Sequence, residues 1–219
     1  MSILLLHGFT GHPDDLLPLE QALLQRGFTC ERPCLPGHCT SVTDLNRTKA
    51  EDWINFVRKR NPDVVIGLSM GGLLGVILAA ERPISKLILL APAFKLKPFG
   101  QTGTMLSKLG LHNFVRMYPK MVGRDIQDPI ARSQSKAYDR VPLRGLLEFD
   151  KVRQQALKAL PRVKCPTHTF LGAHDHTIDN SAAMRLMKNP VMLPHSGHVL
   201  SVDRDKKELI AQCLKILEK

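Results

Sequence analysis

No stretch of this sequence approaches the roughly 18 to 20 apolar residues needed to span a bilayer. The most apolar segment, LLGVILAA, is stopped by Glu81, Arg82 and Pro83. The opening MSILLLHGFTGHPDD has no cationic n-region and no small-residue cleavage site ahead of His7 and Gly8, so no secretory leader is expected. The expectation is a soluble, cytoplasmic protein. Cysteine is sparse and odd in number, five in 219 residues, with no C-x-x-C pair. In a chain without an export signal these residues are expected to be reduced thiols, buried or on loops. Cys30, Cys34 and Cys39 with His38 lack zinc-site spacing and no second cluster follows, so no metal is expected. Internal repeats and low-complexity segments are also missing.

The length suffices for one sizeable core. Runs rich in Ile, Leu and Val alternate with amphipathic stretches, and each run ends in a glycine, a proline or a polar turn. This is the βαβ pattern of a parallel sheet covered by helices on both faces. Strands are predicted at Ile3 to Leu6, Phe28 to Arg32, Asp63 to Gly67, Lys86 to Leu90, Thr167 to Leu171 and Val191 to Leu193. Helices are predicted near Pro13 to Gln25, Lys49 to Arg60, Met70 to Ala80, Ser181 to Met187 and Asp205 to Leu217. The alternation breaks between Ala93 and Lys164, where the pattern is mixed helical and no strand is evident. This reads as an insertion above the sheet edge. It carries 15 Lys and Arg against 5 Asp and Glu, nearly the whole +11 of the chain. Such a surface could attract an anionic membrane, or it could be a solvated cationic face that aids solubility. No nucleic-acid module accompanies the charge, and aromatics are widely spread, so nucleic acid is not an expected partner.

Residues 67 to 71, GLSMG, form a G-x-S-x-G pentapeptide between a predicted strand and a predicted helix. A serine at the apex of so tight a turn sits in strained backbone, and Gly67 and Gly71 allow strand and helix to approach. Taken alone, the pentapeptide fits a nucleophile or a turn that merely packs. A phosphate loop would need Lys then Ser or Thr where Leu73 and Leu74 follow Gly72. A dinucleotide fingerprint would need G-x-G-x-x-G at the first βα turn, which reads HGFTG. Neither cofactor is supported.

An alcohol nucleophile needs a general base and an orienting carboxylate. Two later strand ends supply them: Asp175 in TFLGAHDHTID and His198 in VMLPHSGHVLSVD. Each has a neighbour to weigh. Asp179 could be the acid, but it stands where a helix starting near Ser181 needs its cap. His195 lies nearer the strand than His198, where one ring could be structural. His174 and His176 make an H-x-H without a third ligand. An oxyanion hole needs two N–H donors; Met70 follows the serine, and Phe9 lies in the loop after the first strand. His7 is read as a hydrogen bonder that shapes that loop.

With LLLHGFTG, GLSMGG, GAHD and SGHV in this order, the chain resembles the α/β-hydrolase family, and within it the small bacterial carboxylesterases and monoacylglycerol lipases. The resemblance implies a mostly parallel sheet of about six strands flanked by helices. It implies a serine ester hydrolase with Ser69 as nucleophile, Asp175 as acid, His198 as base, and Phe9 and Met70 amides as oxyanion donors. No cofactor is implied. The substrate would be a small ester, lipid-derived ones included, and an anionic ester would suit the basic insertion. The implied architecture has a core of residues 1–92 and 165–219 and a small helical cap at 93–164. The same three residues would serve a thioesterase or an acyltransferase, and the scaffold could also host a binding protein.

Overall fold

A computed structural model describes residues 1–110, 117–119 and 125–218. Its strands are β1 (Ser2–Leu6), β2 (Thr29–Glu31), β3 (Val64–Leu68), β4 (Lys86–Leu90), β5 (Met117–Pro119), β6 (Arg140–Pro142), β7 (Thr167–Gly172) and β8 (Val191–Leu193). Six of them form one parallel sheet in the order β2-β1-β3-β4-β7-β8. The four central strands read SILLL, VVIGL, KLILL and THTFLG, and are almost wholly buried because helices cover both faces. The edges, β2 and β8, have three residues each, so little unpaired backbone faces solvent.

The helices are α1 (Leu17–Gln25), α2 (Val42–Arg47), α3 (Ala50–Arg58), α4 (Met70–Glu81), α5 (Pro98–Lys108), α6 (Pro129–Gln134), α7 (Leu143–Ala159), α8 (Asn180–Leu186) and α9 (Lys206–Leu217). A short 3-10 turn, Pro13–Leu16, precedes α1. Every residue of α4 from Met70 to Ala79 is buried, as expected of a helix apolar on all sides. It lies against β3 and β4 and is covered by α3 and α7. The α7 face bearing Leu146, Phe149, Val152 and Ala156 is buried, and α7 packs along α4. Within the 93–164 segment, α7 thus packs with the helices that cover the sheet. Arg116, Lys120 and Arg124, part of the basic count in that segment, lie outside the described residues.

Two expectations are overturned. The segment read as strand-free holds β5 and β6, which pair antiparallel at Met117–Pro142, Tyr118–Val141 and Pro119–Arg140. Three-residue strands that each contain a proline are too short to show a period of two. Cys34 and Cys39, read as thiols, are joined in a disulfide, and Cys30, Cys165 and Cys213 are free. The intervening LPGH folds back through Gly37 at φ 76° and a His38 N–H to Leu35 C=O bond of 3.0 Å. That turn brings the two cysteine Cα atoms to 6.4 Å, within the range a disulfide spans. Counting cysteines does not reveal such a turn.

Sheet order reverses between β1 and β3: the chain passes from β1 outward to β2, then returns to the other side of β1. In open parallel sheets this switch point leaves a crevice at the strand carboxyl ends, flanked here by the loops after β1 and β3. The register sets those loops level, since Leu6 pairs with Gly67 and Leu68 with Leu90. Close approach at the β3–α4 elbow depends on glycine. A Cβ at Gly71 would run into the Leu6 carbonyl, and one at Gly67 into the Gly71 carbonyl. Backbone cannot swing aside as a flexible side chain can. Gly71→Ala is therefore expected to lower the unfolding free energy by about 3 kcal/mol in urea melts; a loss below about 0.5 kcal/mol would show that the elbow can open.

Candidate active site

Ser69 occupies the apex between β3 and α4 with φ 55° and ψ −113°, a conformation that L residues other than glycine rarely hold. Its N–H donates to Leu90 C=O at 2.9 Å, anchoring the apex to β4. Its C=O accepts from Gly72 and Leu73, which starts the helix. Ser69 is buried to 7% exposure, and Gly8 lies directly beside it: a Cβ built on Gly8 would be 3.3 Å from Ser69 Cβ. Met70, at the first position of α4, has no acceptor within the helix for its N–H.

Asp175 and His198 meet at the ends of β7 and β8. His198 Nδ1 lies 2.7 Å from Asp175 Oδ2, and both residues are buried. Asp175 Oδ1 accepts the N–H groups of Thr177 and Ile178, each at 2.8 Å. Burial pushes the Asp175 carboxyl up, but the adjacent His198 and these two amides outweigh it and hold it below the usual carboxylate value. The carboxylate is thus kept ionised, and His198 Nδ1 is the nitrogen that donates to it. The competing residues stand elsewhere: Asp179 caps α8 through Ser181 N–H at 3.0 Å and pairs with Lys95 at 2.6 Å. His195, His174 and His176 have exposed side chains.

The loop after β1 is held by two histidines. His7, fully buried, accepts Leu35 N–H on Nε2 at 3.1 Å, so its Nδ1–H donates to Gly8 C=O at 3.0 Å. His38 contacts Phe9 C=O through Nε2 at 2.9 Å and Pro36 C=O through Nδ1 at 3.1 Å. The Phe9 contact is the shorter of the two, and Pro36 C=O has a second donor in Trp53 Nε1–H at 2.8 Å, so we assign the single proton of a neutral His38 to Nε2, donated to Phe9. Burial lowers both imidazoles below their usual value, to the greater extent at His7, which keeps them neutral. The Phe9 ring packs on Phe149 at 5.2 Å and on Trp53 at 6.0 Å.

Two carboxylates that the sequence pattern did not single out tie these loops together. Asp125, at 7% exposure, accepts His176 N–H at 2.8 Å and Thr177 Oγ1–H at 2.7 Å on Oδ2. Its carbonyl accepts His198 N–H at 3.0 Å. It therefore braces the Asp175 loop and the His198 loop at once. Asp203, fully buried, accepts the N–H groups of Gln127, Asp128 and Gly197 at 2.7 to 2.9 Å. Asp203 also accepts the adjacent Arg204 N–H at 2.8 Å, but the bonds by which both carboxylates tie the loops reach segments distant in sequence, so the pattern did not mark them. Asp125→Ala leaves two donors bare at the Asp175 turn and is expected to cost about 10²-fold in kcat, with KM little changed; steady-state kinetics with a soluble ester would read it.

Among the described residues no group of three or more His, Cys, Asp or Glu is placed to hold a metal ion, and no helix is long and apolar enough to cross a membrane. A parallel sheet with an elbow serine at its switch point and a buried Asp–His pair two strand ends away defines an α/β hydrolase. The chain belongs to the alpha/beta hydrolase family, whose model matches residues 3–212. It is 29% identical over 237 residues to a thermostable monoacylglycerol lipase of Bacillus sp. (strain H-257), covering all of this chain and 91% of that one. It is 24% identical over 235 residues to a carboxylesterase of Bacillus subtilis (strain 168), covering all of this chain and 92% of the relative. Among solved structures, that of the metagenome-derived lipolytic enzymes LipS and LipT matches with a TM-score of 0.86 at 24% identity, over 99% of this chain and 93% of the other. The monoacylglycerol lipase of Paleococcus ferrophilus matches with a TM-score of 0.80 at 20% identity, over 99% and 93%. At those identities the structural matches establish the fold.

Proposed function

We propose that this protein is a serine carboxylic-ester hydrolase of the carboxylesterase or monoacylglycerol lipase kind. The observation that carries this reading is the buried 2.7 Å Asp175–His198 pair on the same rim of the sheet as the elbow Ser69. Ser69 Oγ attacks the ester carbonyl while neutral His198 Nε2 takes its proton. The oxyanion is held by the N–H groups of Phe9 and Met70, each worth about 3 kcal/mol of barrier. His198 returns the proton to the departing alcohol, and water releases the acyl group by the same route reversed. The likeness to a monoacylglycerol lipase and a carboxylesterase over the whole chain supports the substrate class.

Within residues 93–164 we assign the cap to the part before α7, since α7 packs with α4. The excess of basic residues there, together with exposed Met105 and Leu109 flanking Lys108, supports weak attraction of the cap to anionic lipid surfaces. Equal sedimentation with neutral and phosphatidylserine vesicles would end that idea.

Labelling with a fluorophosphonate followed by peptide mass mapping tests the assignment: one adduct, on Ser69, is expected, and its absence favours a binding protein on this scaffold. A chain-length series of p-nitrophenyl esters, one monoacylglycerol and one acyl-CoA then sets the class. Preferred turnover of acyl-CoA would replace the oxyester reading with a thioesterase.

A further inference from the structure

We propose that the disulfide-closed loop Cys34–Cys39 is a positioning device for the Phe9 amide, so that opening the disulfide lowers turnover without unfolding the protein. The proposal rests on the reading of Phe9 as an oxyanion donor. Two routes run from this loop to the backbone on either side of Phe9. Leu35 N–H holds His7 Nε2 at 3.1 Å, and His7 Nδ1–H holds Gly8 C=O at 3.0 Å. That carbonyl belongs to the same rigid peptide unit as the Phe9 N–H, so fixing one orients the other. His38, inside the loop and 3% exposed, donates from Nε2 to Phe9 C=O at 2.9 Å and so fixes the next peptide unit. The orientation of the donor thus depends on where Leu35 and His38 stand.

The covalent closure ties together the ends of the loop in which both stand. Cys39 holds φ 58° in the left-handed region, which L side chains avoid, only two residues after Gly37 at φ 76°. A cysteine in a conformation that favours glycine makes sense when its sulfur is bonded, and Cys34 is the partner. The loop is braced from outside as well. Trp53 Nε1–H donates to Pro36 C=O at 2.8 Å, the Tyr138 ring stacks on His38 with centroids 6.4 Å apart, and Tyr138 N–H donates to Thr10 C=O at 2.9 Å. These braces keep the region folded once the bond is open, while the backbone at Cys39 is released from its left-handed state. Cys39 is exposed and Cys34 half-buried, so a small dithiol can reach the bond. Thiolate exchange passes two electrons and two protons from the dithiol to the protein, giving two cysteine thiols and the oxidised cyclic reagent.

The test compares the protein before and after dithiothreitol, with thiols counted by mass after alkylation: three in the oxidised protein and five in the reduced one. Reduction is expected to lower kcat for a p-nitrophenyl ester about 10-fold to 100-fold with KM within twofold, the pattern of lost transition-state contacts. The Cys34→Ser/Cys39→Ser protein should show the same low kcat and no response to the reagent. His38→Gln, whose amide can still donate to Phe9 C=O, should retain more kcat than His38→Phe, a difference that a merely space-filling ring would not produce. Five thiols with unchanged kcat, in a protein that still labels on Ser69, would overturn the device and leave the hydrolase reading intact. No hydrolysis and no Ser69 adduct in either state would remove both.

Discussion

Ser69→Ala is expected to lower kcat for a short p-nitrophenyl ester by about 10⁴- to 10⁶-fold while the protein stays folded. The size follows from what the hydroxyl does: it is the atom that becomes bonded to the acyl group, and no second nucleophile among the described residues shares the elbow. The fold is expected to survive because alanine is strained by φ 55° no more than serine is. The Ser69 backbone bonds, N–H to Leu90 and C=O from Gly72 and Leu73, do not involve the side chain. What remains above the uncatalysed rate would come from the Phe9 and Met70 donors acting on a bound ester attacked by water. Circular dichroism and a urea midpoint check that the loss is chemical. A variant hydrolysing the ester near the wild-type rate would sink the assignment of Ser69.

The sequence alone carried the sheet and much of the site for a definite reason. The central strands are buried on both faces, so their apolar runs are continuous, and each ends at a glycine, a proline or a polar turn, with site loops beginning after β1, β3 and β7. Lys86–Leu90 and Val191–Leu193 stand at the bounds read from the pattern, and the other four strands within one residue at each end. Features that depend on contacts between distant segments were not legible. The six-residue α2 is too short to display an amphipathic period, and the β5–β6 pairing rests on three-residue strands. Asp125 and Asp203 work by accepting backbone N–H groups, and any Asp on a loop can do so. The disulfide depends on a turn at Gly37 and a left-handed Cys39, which cysteine counting cannot see. These missed residues surround the site and set its geometry.

Asp175→Asn should lower kcat by about 10⁴-fold, nearly as much as losing the nucleophile, although it changes one atom. In the native site Oδ1 accepts two amide N–H groups, which an oxygen satisfies and an NH₂ group cannot. The asparagine oxygen must take that position, leaving its NH₂ facing His198 Nδ1. That nitrogen then has to accept, and the ring proton moves to Nε2, the nitrogen that must receive the Ser69 proton. The base is present but in the wrong tautomer. The same change removes an anion beside the imidazole, so the acid limb of kcat/KM is expected to move to lower pH. Stability carries a separate signature. The native carboxyl titrates below its usual value of 3.8, so its contribution is complete above about pH 4 and is lost as pH falls through the native value. The variant should therefore be less stable than wild type at pH 7 and converge with it as pH drops below 4. Unchanged kcat in the variant, with the acid limb unmoved, would mean that another group orients His198.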